Sequence, residues 1–138
     1  MRYYLDTNIV LFYIQNKSEL TKEVEEILDD YSNYIYISSE VVKELVYLQQ
    51  CGKVNIKGLK NEAQIFDFIT NETNFEVKYV KKEHITTFAE LPVFDDHKDP
   101  FDRIIVSHAL TENIPIISSD KKFIYYIPSG LEFIYNKR

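Results

Sequence analysis

The sequence predicts a three-layer α/β/α protein, with helices on both faces of a central parallel sheet of four or five strands. Short strand patterns alternate along the chain with helical patterns, and this order is typical of βαβ units and parallel sheets. The chain has 138 residues, of which 45% are hydrophobic, and this suits one compact core. We therefore expect residues 1–138 to form a single domain.

Two kinds of pattern place the elements along the chain. Short apolar or aromatic runs that end at polar turn residues are typical of buried strands. Apolar residues that recur every three or four positions, or that follow a capping residue, are typical of helices. In chain order they predict a strand at 2–5, helices at 9–14 and 19–31, a strand at 34–37, helices at 39–51 and 59–69, a strand at 75–80, a helix at 82–91, a polar loop at 92–98, a helix at 100–112, and strands at 114–119 and 131–135.

Composition excludes several classes of protein. With 28% charged residues, 3 Gly and 4 Pro, the chain is neither collagen-like nor disordered. The single cysteine, Cys51, excludes an internal disulfide and a Cys-rich zinc site. A net charge of −6 argues against a generally basic nucleic-acid-binding surface. It does not exclude a nucleic-acid substrate, because a cluster of metal-binding acids also makes the net charge negative. Since no apolar run is long enough for a signal peptide or a membrane span, we expect a cytoplasmic protein without membrane segments.

Acidic side chains are predicted to gather at one edge of the sheet. Asp6 ends the first strand and Asp120 ends the strand at 114–119, and the carboxyl ends of parallel strands share one edge. Glu44 borders the apolar stripe of the helix that follows the second strand. Asp99 and Asp102 flank the start of the helix at 100–112. These five carboxylates are the candidate site.

A hard divalent cation would resolve the repulsion within such a group, because like charges at close range raise one another's pKa. Oxygen ligands without clustered His or Cys favour Mg²⁺ or Mn²⁺ over Zn²⁺. Cations held in this way polarise phosphates and lower the pKa of bound water. The pattern therefore indicates phosphodiester hydrolysis with one or two metal ions.

Simpler roles remain open for some of these residues. Asp99 and Asp102 suit the capped first turn of a helix, and Thr7 or Asn8 suits the start of the first helix. Arg103 is placed either on a substrate phosphate or beside a neighbouring acid. The three histidines, His84, His97 and His108, share no spacing. His108 is interpreted as structural. His97 lies in the loop before Asp99, where it either approaches the site or is an ordinary loop residue, and we favour the second interpretation.

Two other phosphate-handling classes fit poorly. A haloacid-dehalogenase-type phosphatase requires a second aspartate where Asn8 stands. A phospho-receiver domain requires a lysine on a late strand, and here the late strand ends in Ser118-Ser119-Asp120.

Four segments together resemble the PIN-domain ribonucleases, and specifically the VapC-type toxins of toxin–antitoxin modules. The run at 99–103 is the most specific of them, and the order of the segments agrees along nearly the whole chain. The segments are Leu5-Asp6-Thr7-Asn8, Ser38 to Leu45, Asp99-Pro100-Phe101-Asp102-Arg103, and Ser118-Ser119-Asp120 with Phe123.

The resemblance implies a PIN-like fold and an endoribonuclease that uses Mg²⁺ or Mn²⁺. It also implies a homodimer and a small antitoxin that inserts an Arg or Lys among the acids. The alternative is a PIN-like module that binds RNA or acts as a scaffold without cleaving RNA. The implied site consists of Asp6, Glu44, Asp102 and Asp120 as catalytic metal ligands, Asp99 as an auxiliary ligand, and Thr7, Asn8, Ser119 and Arg103 as supporting residues.

Overall fold

A five-stranded parallel sheet forms the centre of the protein. The computed structural model describes all residues, Met1–Arg138. The strands run in the spatial order β3-β2-β1-β4-β5, and every neighbouring pair is parallel. The predicted parallel sheet is confirmed, with five strands. They are β1 (Arg2–Leu5), β2 (Tyr34–Ser38), β3 (Glu76–Lys78), β4 (Ile116–Ser118) and β5 (Phe133–Tyr135).

Helices cover both faces of this sheet. Successive side chains of a strand point to opposite faces, and both Tyr4 and Leu5 on the central strand are fully buried. The three-layer prediction is therefore confirmed. None of the helices combines the length and the apolar character needed to cross a bilayer. They are α1 (Thr7–Gln15), α2 (Lys22–Asp29), α3 (Ser39–Gln50), α4 (Ile65–Glu72), α5 (Lys82–Glu90) and α6 (Pro100–Glu112).

Two helices begin later than the apolar periodicity predicts. Helix α2 begins at Lys22 because the Thr21 hydroxyl caps it, accepting a hydrogen bond from the Val24 amide at 3.2 Å. Helix α4 begins at Ile65, and the predicted start at residue 59 is wrong because Asn61 has an extended backbone with φ of −158°. In both cases the apolar spacing extends on the N-terminal side beyond the first residue of the helix.

A 3₁₀ helix over Lys121–Ser129 is absent from the sequence-based prediction. Asp120 caps it by accepting a hydrogen bond from the Lys122 amide at 2.9 Å. Because a 3₁₀ helix repeats every three residues, Phe123 and Tyr126 lie on one face, and both are fully buried. This segment places the Tyr126 hydroxyl next to His97 in the loop at 92–98.

Candidate metal centre

Asp6 lies at the carboxyl edge of the sheet, where strand register fixes its position. Leu5 pairs with Ile117 across β1 and β4, so Asp6 lies beside Ser118. The Asp6 residue is 3% exposed, and both oxygens are hydrogen-bonded. Oδ1 accepts from the Thr7 amide at 2.7 Å, which caps α1, and Oδ2 accepts from the Ser118 hydroxyl at 2.6 Å. The carboxylate is thus held in one orientation.

The charge of Asp6 is unfavourable in this position. Burial raises its pKa to about 7, and the negative charges of Asp102 and Glu44 add to the rise, while the hydrogen bonds from Ser118 and Thr7 oppose it. A bound cation would stabilise the ionised form.

Glu44 reaches the same region from α3. The Thr7 hydroxyl donates a hydrogen bond to the Glu44 carboxylate, so Thr7 connects two acids of the site. Burial raises the pKa of Glu44, the hydrogen bond from Thr7 opposes this, and the charges of Asp102 and Asp99 add to the rise. This hydrogen bond is consistent with the supporting role predicted for Thr7.

Asp99 and Asp102 occupy the start of α6. Asp99 accepts a hydrogen bond from the Phe101 amide at 2.9 Å and caps the helix, with Pro100 as the first helical residue. Burial raises the pKa of Asp102, the contact with His97 lowers it, and the charges of Asp99 and Asp120 raise it further. The first turn of α6 therefore places Asp102 among the acids.

Ser118 links Asp6 to Asp120. Its hydroxyl donates to Asp6 and accepts a hydrogen bond from the Asp120 amide at 3.0 Å. The prediction had assigned the supporting role to Ser119, whose hydroxyl instead accepts a hydrogen bond from the Asn136 side chain at 2.8 Å. The signal for Ser118 was a hydroxyl two residues before Asp120, the spacing of a side-chain-to-backbone turn.

His97 also contacts these acids, so its interpretation as an ordinary loop residue is wrong. It is buried, and its Nε2 atom lies 3.5 Å from Asp102 Oδ2 and 3.3 Å from Asp120 Oδ2. Asp102 raises the pKa of His97, burial opposes this, and the charge of Asp120 adds to the rise. The only signal in the sequence was its position two residues before Asp99.

Two other predicted supporting residues lie away from the acids. Asn8 is exposed in the first turn of α1. Arg103 donates to the Leu91 carbonyl at 3.3 Å, and its guanidinium lies 4.9 Å from the Phe88 ring centroid. No carboxylate lies within ion-pair distance of Arg103, so these contacts do not include a neighbouring acid, and contact with a substrate phosphate stays a prediction.

The residues brought together fit a divalent cation. Five carboxylates from four parts of the chain influence one another electrostatically at the sheet edge. In addition, the buried Nε2 atom of His97 has no hydrogen-bond partner of good geometry. A set of carboxylate oxygens with one unpartnered nitrogen is a reasonable donor set for Mg²⁺ or Mn²⁺.

Comparison with known protein families identifies the family of this chain. The sequence model of the PIN domain matches residues 3–126. The chain belongs to the PIN domain family. This confirms the family that the motifs had indicated, and the match extends from β1 to the 3₁₀ helix after β4. No curated protein sequence matches the chain.

Several solved structures share this PIN fold. A chain of VapBC2 from Rickettsia felis, bound to a DNA fragment from its promoter, superimposes with a TM-score of 0.68 at 24% identity, covering 99% of this chain and 100% of that chain. VapBC-1 from nontypeable Haemophilus influenzae gives 0.65 at 21% identity, covering 98% of both chains. A toxin–antitoxin complex from Klebsiella pneumoniae gives 0.64 at 16% identity, covering 96% of this chain and 95% of that chain. At these identities the likeness shows the fold.

Proposed function

We propose that this PIN domain is a metal-dependent endoribonuclease that requires Mg²⁺ or Mn²⁺. The observation that carries the proposal is Asp6, a carboxylate buried beside Glu44 and Asp102 whose charge the protein alone leaves poorly compensated. A bound divalent cation lowers the pKa of a coordinated water and neutralises charge on a phosphodiester. Family membership supports the proposal, and so does the position of the site at the carboxyl edge of the sheet.

Each side chain has a defined part in this proposal. Asp6, Glu44, Asp102 and Asp120 hold the cation, with one or two ions bound. Thr7 and Ser118 orient Asp6, and Thr7 also orients Glu44, through the hydrogen bonds described above. Asp99 caps α6 and so fixes the position of Asp102. Held in this way, the carboxylates need little reorganisation when substrate arrives.

Cleavage of RNA by the purified protein tests the proposal. We expect single-stranded or looped RNA to be cut in Mg²⁺ or Mn²⁺, with 5′-phosphate and 3′-hydroxyl products and no cleavage in EDTA. Asp6→Asn should abolish cleavage. The matched control is Asp95→Asn, which changes a fully exposed acid in the loop before α6. Full activity in EDTA would contradict the proposal.

The alternative function is a PIN-like module that binds RNA or acts as a scaffold without cleaving it. The same assay separates the two, because such a module would retain RNA on a filter without producing new RNA ends. The burial of Asp6 among other acids favours the enzyme, because a cation held there would activate water beside a phosphodiester.

We also propose that the protein is the toxin of a toxin–antitoxin module. Support comes from the structural neighbours, several of which are toxin–antitoxin or VapBC complexes. We expect a small antitoxin, encoded next to this chain, to place an Arg or Lys among the acids. Co-expression with the neighbouring gene product and affinity purification tests this, and recovery of the chain alone would contradict it.

Three further expectations stay predictions. The homodimer is checked by light scattering of the purified chain. The organisation as a single domain is supported by one continuous core of 28 buried hydrophobic residues and is checked by limited proteolysis. A cytoplasmic location is checked by cell fractionation.

A further inference from the structure

We propose that His97 is a nitrogen ligand of the metal centre, coordinating through Nε2 together with Asp102 and Asp120. The inference rests on the proposed metal-dependent function and changes the chemistry of its site. A site that includes an imidazole should discriminate more strongly in favour of Mn²⁺ over Mg²⁺ than a site built from carboxylates alone.

The first argument is the state of the Nε2 atom. The His97 side chain is 3% exposed, so water does not satisfy this nitrogen. It has no hydrogen-bond partner of good geometry in the protein, although it is directed at two carboxylates. A buried polar atom without a partner is energetically unfavourable, and binding to a cation would remove that penalty.

The second argument is the spacing of the three ligand atoms. Nε2 lies 3.5 Å from Asp102 Oδ2 and 3.3 Å from Asp120 Oδ2, and all three atoms lie within 4.8 Å of one another. Two ligands that are each about 2.1 Å from one ion are separated by roughly 3.0 Å at a right angle and roughly 3.4 Å at a tetrahedral angle. The observed distances are therefore close to those between ligands of one ion.

The third argument is the tautomer of the ring. The Nδ1 atom of His97 lies 2.7 Å from the Tyr126 hydroxyl, which can accept a hydrogen bond from Nδ1–H. That arrangement leaves the Nε2 lone pair free, and histidine ligands of metals usually have such a partner on the second nitrogen. Edge contacts with Phe123 and Tyr126, at centroid distances of 5.4 Å, hold the ring in place.

The expected consequence is a change in metal preference. Mg²⁺ strongly prefers oxygen ligands, whereas imidazole suits transition-metal ions. His97→Gln should therefore weaken Mn²⁺ binding by about tenfold to a hundredfold and weaken Mg²⁺ binding by a smaller factor. Tyr126→Phe, which keeps the ring but removes the partner of Nδ1, should weaken Mn²⁺ binding by about tenfold.

Pulsed electron paramagnetic resonance of the Mn²⁺ complex, measured without RNA, tests the assignment directly. We expect ¹⁴N coupling from a coordinated imidazole in the wild-type protein and no such coupling in His97→Gln. Calorimetric titrations with Mn²⁺ and with Mg²⁺ give the two affinities, and Asp95→Asn is the control for an unrelated acid of the same loop. The wild-type spectrum is informative even if a variant folds poorly.

The outcomes separate this inference from the function on which it rests. One outcome would reject only the His97 assignment: Mn²⁺ binds the wild-type protein, Asp102→Asn abolishes this binding, and the wild-type spectrum shows no ¹⁴N coupling. In that case the metal centre exists, but His97 is not one of its ligands. Coupling that persists in His97→Gln would also overturn the assignment. If neither Mn²⁺ nor Mg²⁺ binds the wild type, both the inference and the proposed function fail.

Discussion

Two clusters of histidine and carboxylate side chains lie at opposite ends of α6, and only one of them is suited to bind a metal. The Asp102 cluster consists of His97, Asp102 and Asp120, and the Glu112 cluster consists of His84, His108 and Glu112. Asp102 and Glu112 are ten residues apart on one helix, or about 15 Å along its axis. Their residue types are similar, so composition does not distinguish them.

The Glu112 cluster is a closed hydrogen-bond network. The Tyr4 hydroxyl donates to Glu112, and His84 Nε2 lies 2.9 Å from the same carboxylate. His84 and His108 stack with their ring centroids 3.7 Å apart, and His108 Nε2 lies 3.1 Å from the Ser38 hydroxyl. Although burial alone would raise the pKa of Glu112, the hydrogen bonds from Tyr4 and His84 lower it overall. The carboxylate is therefore satisfied by the protein itself.

The second ring nitrogen explains the difference between the clusters. His84 Nδ1 accepts a hydrogen bond from the Lys81 amide at 2.9 Å, so the proton of the neutral ring resides on Nε2 and points at Glu112. That nitrogen has no lone pair to offer a cation. In His97 the partner of Nδ1 is a hydroxyl, which can accept a hydrogen bond from Nδ1–H, and in that tautomer the Nε2 lone pair is free. The hydrogen-bond partner therefore indicates the role where residue type does not.

The largest predicted effect is on the rate of RNA cleavage, and it differs between the two clusters. Asp6→Asn and Asp120→Asn should each lower the rate of RNA cleavage more than about a hundredfold, because losing even an outer partner of a metal ligand costs about ten- to a hundredfold. Glu112→Gln should leave the rate of the folded protein within a few-fold of wild type. Cleavage of a labelled RNA, with folding checked by circular dichroism, measures both. Comparable losses in Glu112→Gln and Asp6→Asn would remove the distinction.

A second prediction concerns the stability of the metal-free protein. Asp6 has a folded pKa of about 7, well above its usual range near 4, so the folded state retains a proton that the unfolded state has lost. Stability should therefore fall as pH rises from 4 to 7, by at most about 4 kcal/mol. Asp6→Asn keeps an N-cap but does not titrate, so the stability of this variant should not show the fall that Asp6 causes between pH 4 and 7.

Thermal melts across pH 4 to 8, with and without Mg²⁺, check the second prediction. Mg²⁺ should raise the melting temperature of wild type more than that of Asp6→Asn, because the ion favours the ionised folded state. An equal response to Mg²⁺ in the two proteins would contradict the assignment of Asp6 as a ligand.

The third prediction gives the Glu112 cluster the opposite dependence on pH. Burial and the neighbouring His84 lower the pKa of His108 to about 4 from its usual value near 6.5. The unfolded state therefore takes up a proton first, and stability should be lost as pH falls from 6.5 to 4, by at most about 3 kcal/mol. His108→Gln should flatten the acid limb of a denaturation series and leave Mn²⁺ affinity unchanged at neutral pH. A steep acid limb in His108→Gln would assign the effect to other groups.

Much of the fold and of the acidic group could be predicted because the information is local. Strand β1 and the helix from Pro100 to Glu112 each follow from a few adjacent residues. The carboxyl-edge rule then brings Asp6 and Asp120 together without any knowledge of side-chain contacts.

The contacts of His97, Ser118 and Arg103 depend on distant parts of the chain, so local sequence patterns do not predict them. His97 is fixed by Tyr126, 29 residues later, on a 3₁₀ helix that apolar periodicity did not reveal. Ser118 rather than Ser119 faces Asp6 because of the register between β1 and β4. Arg103 packs on Phe88 of another helix, and no local pattern predicts that contact.

The smallest predicted effect concerns Asp99, which lies beside the Asp102 cluster but is bonded to its own helix. Its Oδ1 atom accepts from the Phe101 amide at 2.9 Å, an interaction that asparagine preserves and alanine loses. Asp99→Asn should therefore be nearly neutral in stability, whereas Asp99→Ala should cost about 1 kcal/mol. As a helix cap, Asp99 acts on catalysis only by fixing Asp102, so Asp99→Asn should retain most of the activity that Asp102→Asn loses. Urea denaturation and Mg²⁺ titration of the three variants measure both quantities. If Asp99→Asn matches Asp102→Asn in lost Mg²⁺ affinity and lost rate, with unchanged stability, the carboxylate binds the ion directly, and a hydrogen bond to the backbone is then insufficient to mark a side chain as structural.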